Sequence, residues 1–256
     1  MTVSSRKNDA VRRFRELSRD RKMRAESGLF AAEGDHLCGE LSRSEHEATL
    51  FLYTERAAEK YPQTANALLK KAHDSVVITE ELAEYISDTR SPQGLFAVGK
   101  MPAAAALPDN AGRIVVLDGV QDPGNVGTVI RTAEALGIGG ALLLNGCADI
   151  WSPKTMRASM GSVFRLPCVV SDGASEIERL ISRGFSVYGA KLDESALRLG
   201  EFGFPEKSAV VIGSEGSGIS PETAAACTHS LYIPISGAES LNAAAAAAII
   251  LWEFSR

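Results

Sequence analysis

The sequence contains only four cysteines, and none of them lies in a Cys-x-x-Cys pair. They are spread along the chain, which excludes a disulfide framework and predicts a protein of a reducing compartment. The four histidines show no metal-ligand spacing with one another or with the cysteines, so we expect no zinc site. These residues are Cys38, Cys147, Cys168, Cys227, His36, His46, His73 and His229.

Long hydrophobic runs are also missing. The longest uncharged apolar run, Leu241 to Trp252, is rich in alanine and shorter than a membrane span requires. The N-terminus is basic but has no apolar core of a signal peptide. We therefore expect a soluble, cytoplasmic protein that does not enter a membrane.

The glycine fingerprints of nucleotide-binding proteins are absent as well. One glycine-rich stretch, Gly213 to Gly218, follows an apolar run, but it lacks the Lys-Ser/Thr of a P-loop and does not have G-x-G-x-x-G spacing. The stretch could be a plain turn from a strand to a helix. It also contains Glu215, whose carboxylate could bind a ligand or hold a neighbouring arginine.

Positive charge is concentrated at one end of an acidic chain. The formal net charge is −5, yet residues 1–27 contain nine Lys or Arg against four Asp or Glu. A basic N-terminal arm on an acidic body is typical of a segment that contacts nucleic-acid phosphates. The alternative is an amphipathic helix whose charged face is solvated.

Two α/β regions follow from the alternation of apolar runs and charged helical segments. Residues 1–100 predict a basic arm and a small α/β domain, and the proline-bracketed residues 101–112 predict a linker. In residues 113–256, short apolar strands alternate with helices, which predicts a parallel sheet covered on both faces. Ligands of such sheets bind beyond the carboxyl ends of the strands. The predicted strands cover residues 29–34, 48–54, 76–79, 95–99, 114–117, 141–144, 185–190, 209–212 and 231–235.

The loop after residues 114–117 leads into a helix that carries an isolated arginine. Asn125 is a good N-cap for this helix, and Gly137 should end it. Arg131 lies within two turns of Asn125. It could form a structural ion pair with Glu134 three residues later, or it could contact a substrate.

The last loop joins the run Leu231 to Ile235 to an alanine-rich helix. Ser236 and Glu239 have the spacing of a capping box, although Ser240 or Asn242 could equally cap the helix. Backbone donors and the Ser240 and Asn242 side chains would then gather at the helix N-terminus. The alanines leave room for another backbone, a second subunit or a flat ligand.

Together these three loops resemble the SpoU-type (TrmH-like) RNA ribose 2′-O-methyltransferases of the SPOUT class. The resemblance covers about residues 113–256 and includes similarity at residues 157–161. Residues before 100 are similar, more weakly, to the L30e-like substrate-binding domain often fused to these enzymes. The matching motifs are Asn125-x-Gly127-x-x-x-Arg131, Gly213-Ser214-Glu215-Gly216-x-Gly218, and Ile233-Pro234-Ile235-x-Gly237-x-x-Ser240-Leu241-Asn242.

The resemblance implies a fold, a cofactor and a partner. The fold would be a parallel α/β sheet whose C-terminal segment is threaded into a trefoil knot. Gly213, Ile233 and Leu241 would contact S-adenosylmethionine, with Ser240 and Asn242 close by. The alanine helix would pack at a homodimer interface.

The resemblance also implies methyl transfer to a ribose 2′-hydroxyl, with 23S rRNA favoured over transfer RNA. Arg131 is either the base or a clamp on the adjacent phosphate and the 2′-oxygen, and a guanidinium that stays protonated suits the clamp as well. Asn125, Glu215, Ser240 and Asn242 would hold it in place. Two alternatives are methyl transfer to a base and an RNA-binding protein with a vestigial cofactor pocket.

Overall fold

The computed structural model describes residues 2–103, 106–171, 173–237 and 240–256. The chain forms two compact units: Met1–Ala104 with Asp149–Phe164, and Ala105–Ala148 with Arg165–Arg256. Glu239 of the possible capping box and two residues of the predicted linker, Ala104 and Ala105, lie outside the described residues.

The first unit contains a four-stranded mixed sheet in the order β1-β4-β2-β3. Strands β1 and β2 are both antiparallel to β4, and β3 is parallel to β2. The predicted strands correspond to these four, while the helix α4 was not predicted. The elements are α1 (Asp9–Arg19), α2 (Arg21–Ser27), β1 (Leu29–Glu33), α3 (Gly34–Arg43), β2 (Ala48–Tyr53), α4 (Glu55–Lys60), α5 (Pro62–Lys71), β3 (Asp74–Val77), α6 (Glu80–Ile86) and β4 (Leu95–Lys100).

The basic N-terminal segment is folded into this unit. The Asn8 side chain caps α1, and one face of that helix buries Val11, Phe14 and Leu17 in the hydrophobic core. Val3 is hydrogen-bonded to Val77 through its backbone N–H, at 2.8 Å. The segment is therefore a packed amphipathic element, with its charged face outward, and not a detached arm.

Not all of its cations are free for a ligand. Arg24 is buried, and its guanidinium donates to Asp149 Oδ2 at 2.7 and 2.8 Å and to the Leu17 carbonyl at 2.7 Å. Arg12 lies within ion-pair distance of Asp9 and Glu16. Because Arg24 is buried and Arg12 is paired, fewer of the nine basic residues in this segment are available to contact a phosphate than the sequence alone indicates.

The elements from residue 113 onward alternate between strands and helices. The chain leaves the second unit after β6, contributes α8 and a short 3-10 turn to the first unit, and then returns. The division at residues 100 and 113 does not anticipate this excursion. These elements are β5 (Arg113–Asp118), α7 (Pro123–Ala135), β6 (Gly140–Leu143), α8 (Pro153–Ala158), the turn Ser162–Phe164, β7 (Cys168–Val170), α9 (Ser175–Ser182), β8 (Ser186–Ala190), β9 (Leu197–Arg198), β10 (Ser208–Gly213), α10 (Pro221–Ala226), β11 (His229–Tyr232) and α11 (Ala243–Ser255).

Aromatic packing explains why residues 149–164 belong to the first unit. The ring of Trp151 stacks on the ring of Phe30 in β1, with centroids 4.7 Å apart. The ring centroid of Phe164 lies 5.4 Å from that of Phe30. Gly99 of β4 makes room for Phe30, since a Cβ there would stand 2.3 Å from the phenyl ring. These rings and the buried Arg24–Asp149 pair fix the excursion in place.

The second unit is built on a seven-stranded sheet in the order β7-β6-β5-β10-β8-β11-β9. Every pairing in it is parallel, which confirms the α/β class and the parallel sheet. Two short strands, β7 and β9, were not predicted. Strand β11 ends at Tyr232, so the prediction of a strand over residues 231–235 is wrong at its end. The trefoil knot stays a prediction.

Within the described residues, no helix has both the length and the apolar character needed to cross a lipid bilayer.

Candidate active site

The three sequence motifs meet at one edge of the parallel sheet. Strands β5 and β10 are neighbours, with Leu117 opposite Ile212 and Asp118 opposite Gly213 at their carboxyl ends. The third loop begins where β11 ends, on the far side of β8 from β10. The loops that carry the motifs therefore leave the sheet on the same side, as a parallel sheet requires.

The first loop presents Asn125 on the first turn of α7. The N-cap of this helix is Asp122, whose carboxylate accepts from the Asn125 backbone N–H at 3.0 Å, and Pro123 occupies the first helical turn. The prediction that Asn125 is the N-cap is therefore wrong. The cap function of Asp122 leaves the Asn125 carboxamide free for other partners. Gly137, with φ of +71°, follows the end of the helix as predicted.

A chain of hydrogen bonds joins one residue from each motif. Asn125 Nδ2 donates to Glu215 Oε1, and Asn242 Nδ2 donates to Asn125 Oδ1 at 3.2 Å. Asn242 is the N-cap of α11, where its Oδ1 accepts from the N–H groups of Ala244 and Ala245 at 2.9 and 3.2 Å. Of the alternative caps, Asn242 is thus the one used. We call Glu215, Asn125 and Asn242 the amide bridge.

Next to the amide bridge lies a cavity of about 470 Å³. Its lining includes Gly213, Ile233 and Leu241, the three residues assigned to the cofactor, and also Glu215 and Ser240. The volume falls in the range of small-molecule sites, which is roughly 300–1,000 Å³. Among the described residues Ser240 makes no hydrogen bond to the amide bridge.

The cavity has a further wall that the sequence did not reveal. The loop after β8 contributes Ala190, Lys191 and Leu192. Its backbone is held by the Lys191 N–H, which donates to the Leu231 carbonyl at 2.9 Å. The sequence could have indicated this wall, because the loop follows the carboxyl end of a parallel strand, where ligands of such sheets bind.

Asp193 fixes the outer part of this loop. Its carboxylate accepts from the hydroxyls of Ser230 and Ser195 at 2.6 and 2.8 Å. These hydrogen bonds and the nearby charge of Lys191 lower the pKa of Asp193. The carboxylate is therefore charged at neutral pH. Its hydrogen bonds fix the backbone next to Leu192, which lines the cavity.

Arg131 stands apart from the amide bridge. Its side chain is exposed and, within the described part of the chain, its guanidinium has no hydrogen bond or ion pair. It lines a separate groove with Thr128, Thr132 and Trp252. The expectation that Asn125, Glu215, Ser240 and Asn242 hold the guanidinium finds no such contact in this structure.

The alternative ion pair between Arg131 and Glu134 is not formed among the described residues. Glu134, its possible ion-pair partner, receives two hydrogen bonds from Arg165 instead, one of them at 3.0 Å. Arg165 comes from the segment just before β7, which no helical spacing could have indicated. An unpaired arginine on the first-motif helix is free to bind an anionic substrate.

The cysteines of the second unit are not reactive groups. Burial, together with the charge of Asp118, raises the pKa of Cys227 to about 11. The pKa of Cys147 is raised mainly by burial as well, and burial raises that of Cys168 to about 12. These thiols are protonated at neutral pH, so none is poised as a nucleophile.

Comparison with known proteins places these features in a family context. Residues 112–252 match the model of the SpoU rRNA Methylase family, and residues 8–97 match that of the MRM3-like substrate binding domain. The chain is 33% identical over 251 residues to the 23S rRNA (guanosine(2553)-2′-O)-methyltransferase RlmP of Bacillus subtilis, covering 98% of this chain and 97% of that protein.

Two solved structures have the same fold over nearly the whole chain. One is a TrmH-family RNA methyltransferase of Porphyromonas gingivalis, with a TM-score of 0.82, 37% identity and coverage of 95% and 96% of the two chains. The other is the SpoU methyltransferase AviRb of Streptomyces viridochromogenes in complex with AdoMet. It has a TM-score of 0.86, 27% identity and 97% coverage of both chains.

Proposed function

Because the chain belongs to the SpoU rRNA methylase family, we propose that it transfers a methyl group from S-adenosylmethionine to a ribose 2′-hydroxyl of 23S rRNA. The observation that carries the proposal is the amide bridge beside the cavity. It brings one polar residue from each of the three motifs to one edge of the sheet.

The choice of RNA is supported by a relative that aligns over almost the full length of both proteins. RlmP of Bacillus subtilis acts on 23S rRNA, which favours that substrate over transfer RNA here. We assign residues 1–100 to RNA binding, in line with the match to a substrate binding domain, and residues 113–256 to methyl transfer. The proposed setting is the cytoplasm, in keeping with four free thiols.

The residues of the cavity fit S-adenosylmethionine. The volume suits a ligand of that size, and the wall combines apolar side chains, such as Ile233 and Leu241, with one carboxylate, Glu215. A carboxylate near a sulfonium lowers the free energy of the bound cation. When bound, the cofactor would supply an electrophilic methyl group for the 2′-oxygen; the sulfur–methyl bond would break as the oxygen–methyl bond forms, and the hydroxyl proton would pass to water.

The residues of this chain then have to bind and orient the ribose. The Arg131 guanidinium can form a forked contact with the phosphate beside the target ribose. The amide bridge holds Asn125 and Glu215 in fixed positions, and so presents hydrogen-bonding groups to the 2′-hydroxyl. Alignment of the attacking oxygen with the methyl group supplies most of the acceleration.

The proposal is tested by methyl transfer in vitro. The full chain is incubated with tritiated S-adenosylmethionine and rRNA from a strain that lacks the enzyme, and the RNA is digested to nucleosides. We expect label in a single 2′-O-methylnucleoside of 23S rRNA. Label in transfer RNA would contradict the substrate, label in a base would contradict the reaction, and no label despite cofactor binding would favour an RNA-binding protein.

We also propose that the second unit forms a homodimer through α11. Its residues Trp252 and Ile249 are 60% and 43% exposed, and Trp252 lines two grooves, one of which also contains Arg131. One groove is lined by Leu199 and Pro234 and the other by Leu136. A large exposed aromatic residue between two grooves is typical of a surface that another subunit covers.

A single substitution should dissociate such a dimer. Trp252→Glu places a charge in the apolar contact, so we expect sedimentation velocity to change from a dimer to a monomer at micromolar concentration. Leu69→Glu is the matched control, because Leu69 is 40% exposed but belongs to the first unit. A Trp252→Glu protein that stays dimeric would contradict the assignment of this face.

A further inference from the structure

A buried carboxylate outside the amide bridge has no part in the chemistry described so far. Asp118 ends β5 and is only 6% exposed. In the sheet register it lies opposite Gly213, the last residue of β10. None of the ion pairs in the described residues involves Asp118, so hydrogen bonding must offset the cost of its burial.

The partner of this carboxylate lies at the far end of the loop that leaves β10. Asp118 Oδ2 accepts from the Ser220 backbone N–H at 2.7 Å, a short hydrogen bond to a charged acceptor. Ser220 is both the end of the loop that leaves β10 and the N-cap of α10. The carboxylate lies near enough to Cys227 to contribute to the raised pKa of that thiol.

Between Gly213 and Ser220 the loop folds back on itself. Ser214 and Gly218 exchange backbone hydrogen bonds of 2.9 and 3.0 Å, and Gly218 has φ of +67°. This hairpin carries Glu215 and forms one wall of the cavity. One end is fixed by its own strand, and the Asp118 carboxylate fixes the other end to the neighbouring strand.

We propose that Asp118 is a positioning residue for cofactor binding, which holds the hairpin of residues 214–219 against the cavity through the Ser220 N–H. The inference rests on the proposed function, because it takes S-adenosylmethionine as the ligand. It assigns Asp118 no contact with the cofactor. Asp118 affects cofactor affinity indirectly, because it fixes the backbone that forms the cavity wall and thereby the position of Glu215.

The test compares cofactor affinity in full-length variants by calorimetry with S-adenosylmethionine. Asp118→Ala removes the acceptor and should weaken binding by about tenfold or more. Asp118→Asn keeps an oxygen that accepts the same N–H, so binding should recover to within about threefold of wild type. Hydrogen exchange should show a faster Ser220 amide in both variants, more so in Asp118→Ala.

Ser220→Ala is the matched control. It removes the hydroxyl that caps α10 through the Thr223 N–H at 3.2 Å, but it keeps the N–H that Asp118 binds. We expect a lower melting temperature with cofactor affinity within about twofold of wild type. If this variant lost as much affinity as Asp118→Ala, general loosening would explain the result and the positioning role would be overturned.

Wild-type affinity in a folded Asp118→Ala protein would also overturn the role. Should Asp118→Ala not fold, Asp118→Leu decides, because leucine fills the space of the carboxylate but accepts no hydrogen bond from the Ser220 N–H. Weaker binding with a faster Ser220 amide supports the role, and unchanged binding overturns it. Failure of the wild-type protein to bind S-adenosylmethionine would instead overturn the cofactor in the proposed function. The two failures are therefore distinguished by the wild-type titration alone.

Discussion

Replacement of Arg131 by alanine should abolish methyl transfer while leaving S-adenosylmethionine affinity within about threefold of wild type. Arg131 is exposed, has no ion-pair partner within the described residues, and does not line the cofactor cavity. Its loss therefore removes no group that lines the cofactor cavity. A preorganised donor at the reacting centre contributes on the order of 10²- to 10³-fold in rate, and we expect a loss of that size.

The measurement is single-turnover methylation of rRNA at saturating cofactor, with the cofactor Kd from calorimetry. Arg131→Lys keeps the charge but not the fork, so it should recover only part of the rate. Arg179→Ala is the control, since Arg179 is an exposed arginine of the second unit that pairs with Glu176. Equal losses of rate and cofactor affinity in Arg131→Ala would make the arginine a structural residue.

The fold class could be predicted from the sequence because its strands are continuous apolar runs. Ile114 to Leu117 and Ala209 to Ile212 are buried on both faces of the sheet, a pattern typical of parallel strands covered by helices. Strand β9 could not be found in this way, because it has two residues and one of them, Arg198, is exposed.

The excursion of residues 149–164 was hidden for a different reason. Its helix has an ordinary amphipathic pattern, which indicates burial but not the partner. The segment is held through Asp149 and Trp151, just before the helix, whose partners are Arg24, more than a hundred residues earlier, and Phe30 of β1. Contacts of such long range leave no local periodicity, so the sequence indicated the helix and not the unit that it joins.

In the site, too, features set by neighbouring residues could be predicted, whereas contacts between distant residues could not. The sequence indicated which loops carry polar residues, because strand ends and helix starts are local features. It misassigned the cap of α7, since Asp122 and Asn125 are both good caps and the choice depends on what else each can bind. The Asn125 side chain is hydrogen-bonded to Glu215 and Asn242, two residues that are distant from it in the sequence.

The second large effect concerns Gly213, which we expect to tolerate no side chain. A Cβ at this position would stand 2.1 Å from the Gly218 carbonyl carbon and 2.2 Å from the Ile219 nitrogen. Both atoms belong to backbone, so the hairpin could not yield by rotating a side chain. Gly213→Ala must therefore push the loop away from β10, and with it Glu215 and the cavity wall.

Overpacking of this kind costs roughly 1–3 kcal/mol, and when that cost falls on the conformation that binds the cofactor it corresponds to a loss of about fivefold to 150-fold in affinity. Calorimetry with S-adenosylmethionine measures it, and Gly203→Ala serves as the control because a Cβ there meets nothing within 4 Å. RNA binding without cofactor should be unchanged, since Arg131 and the first unit are not altered. Wild-type cofactor affinity in Gly213→Ala would mean that the hairpin can move freely, and the cavity wall would then not depend on the close approach of the loop to β10.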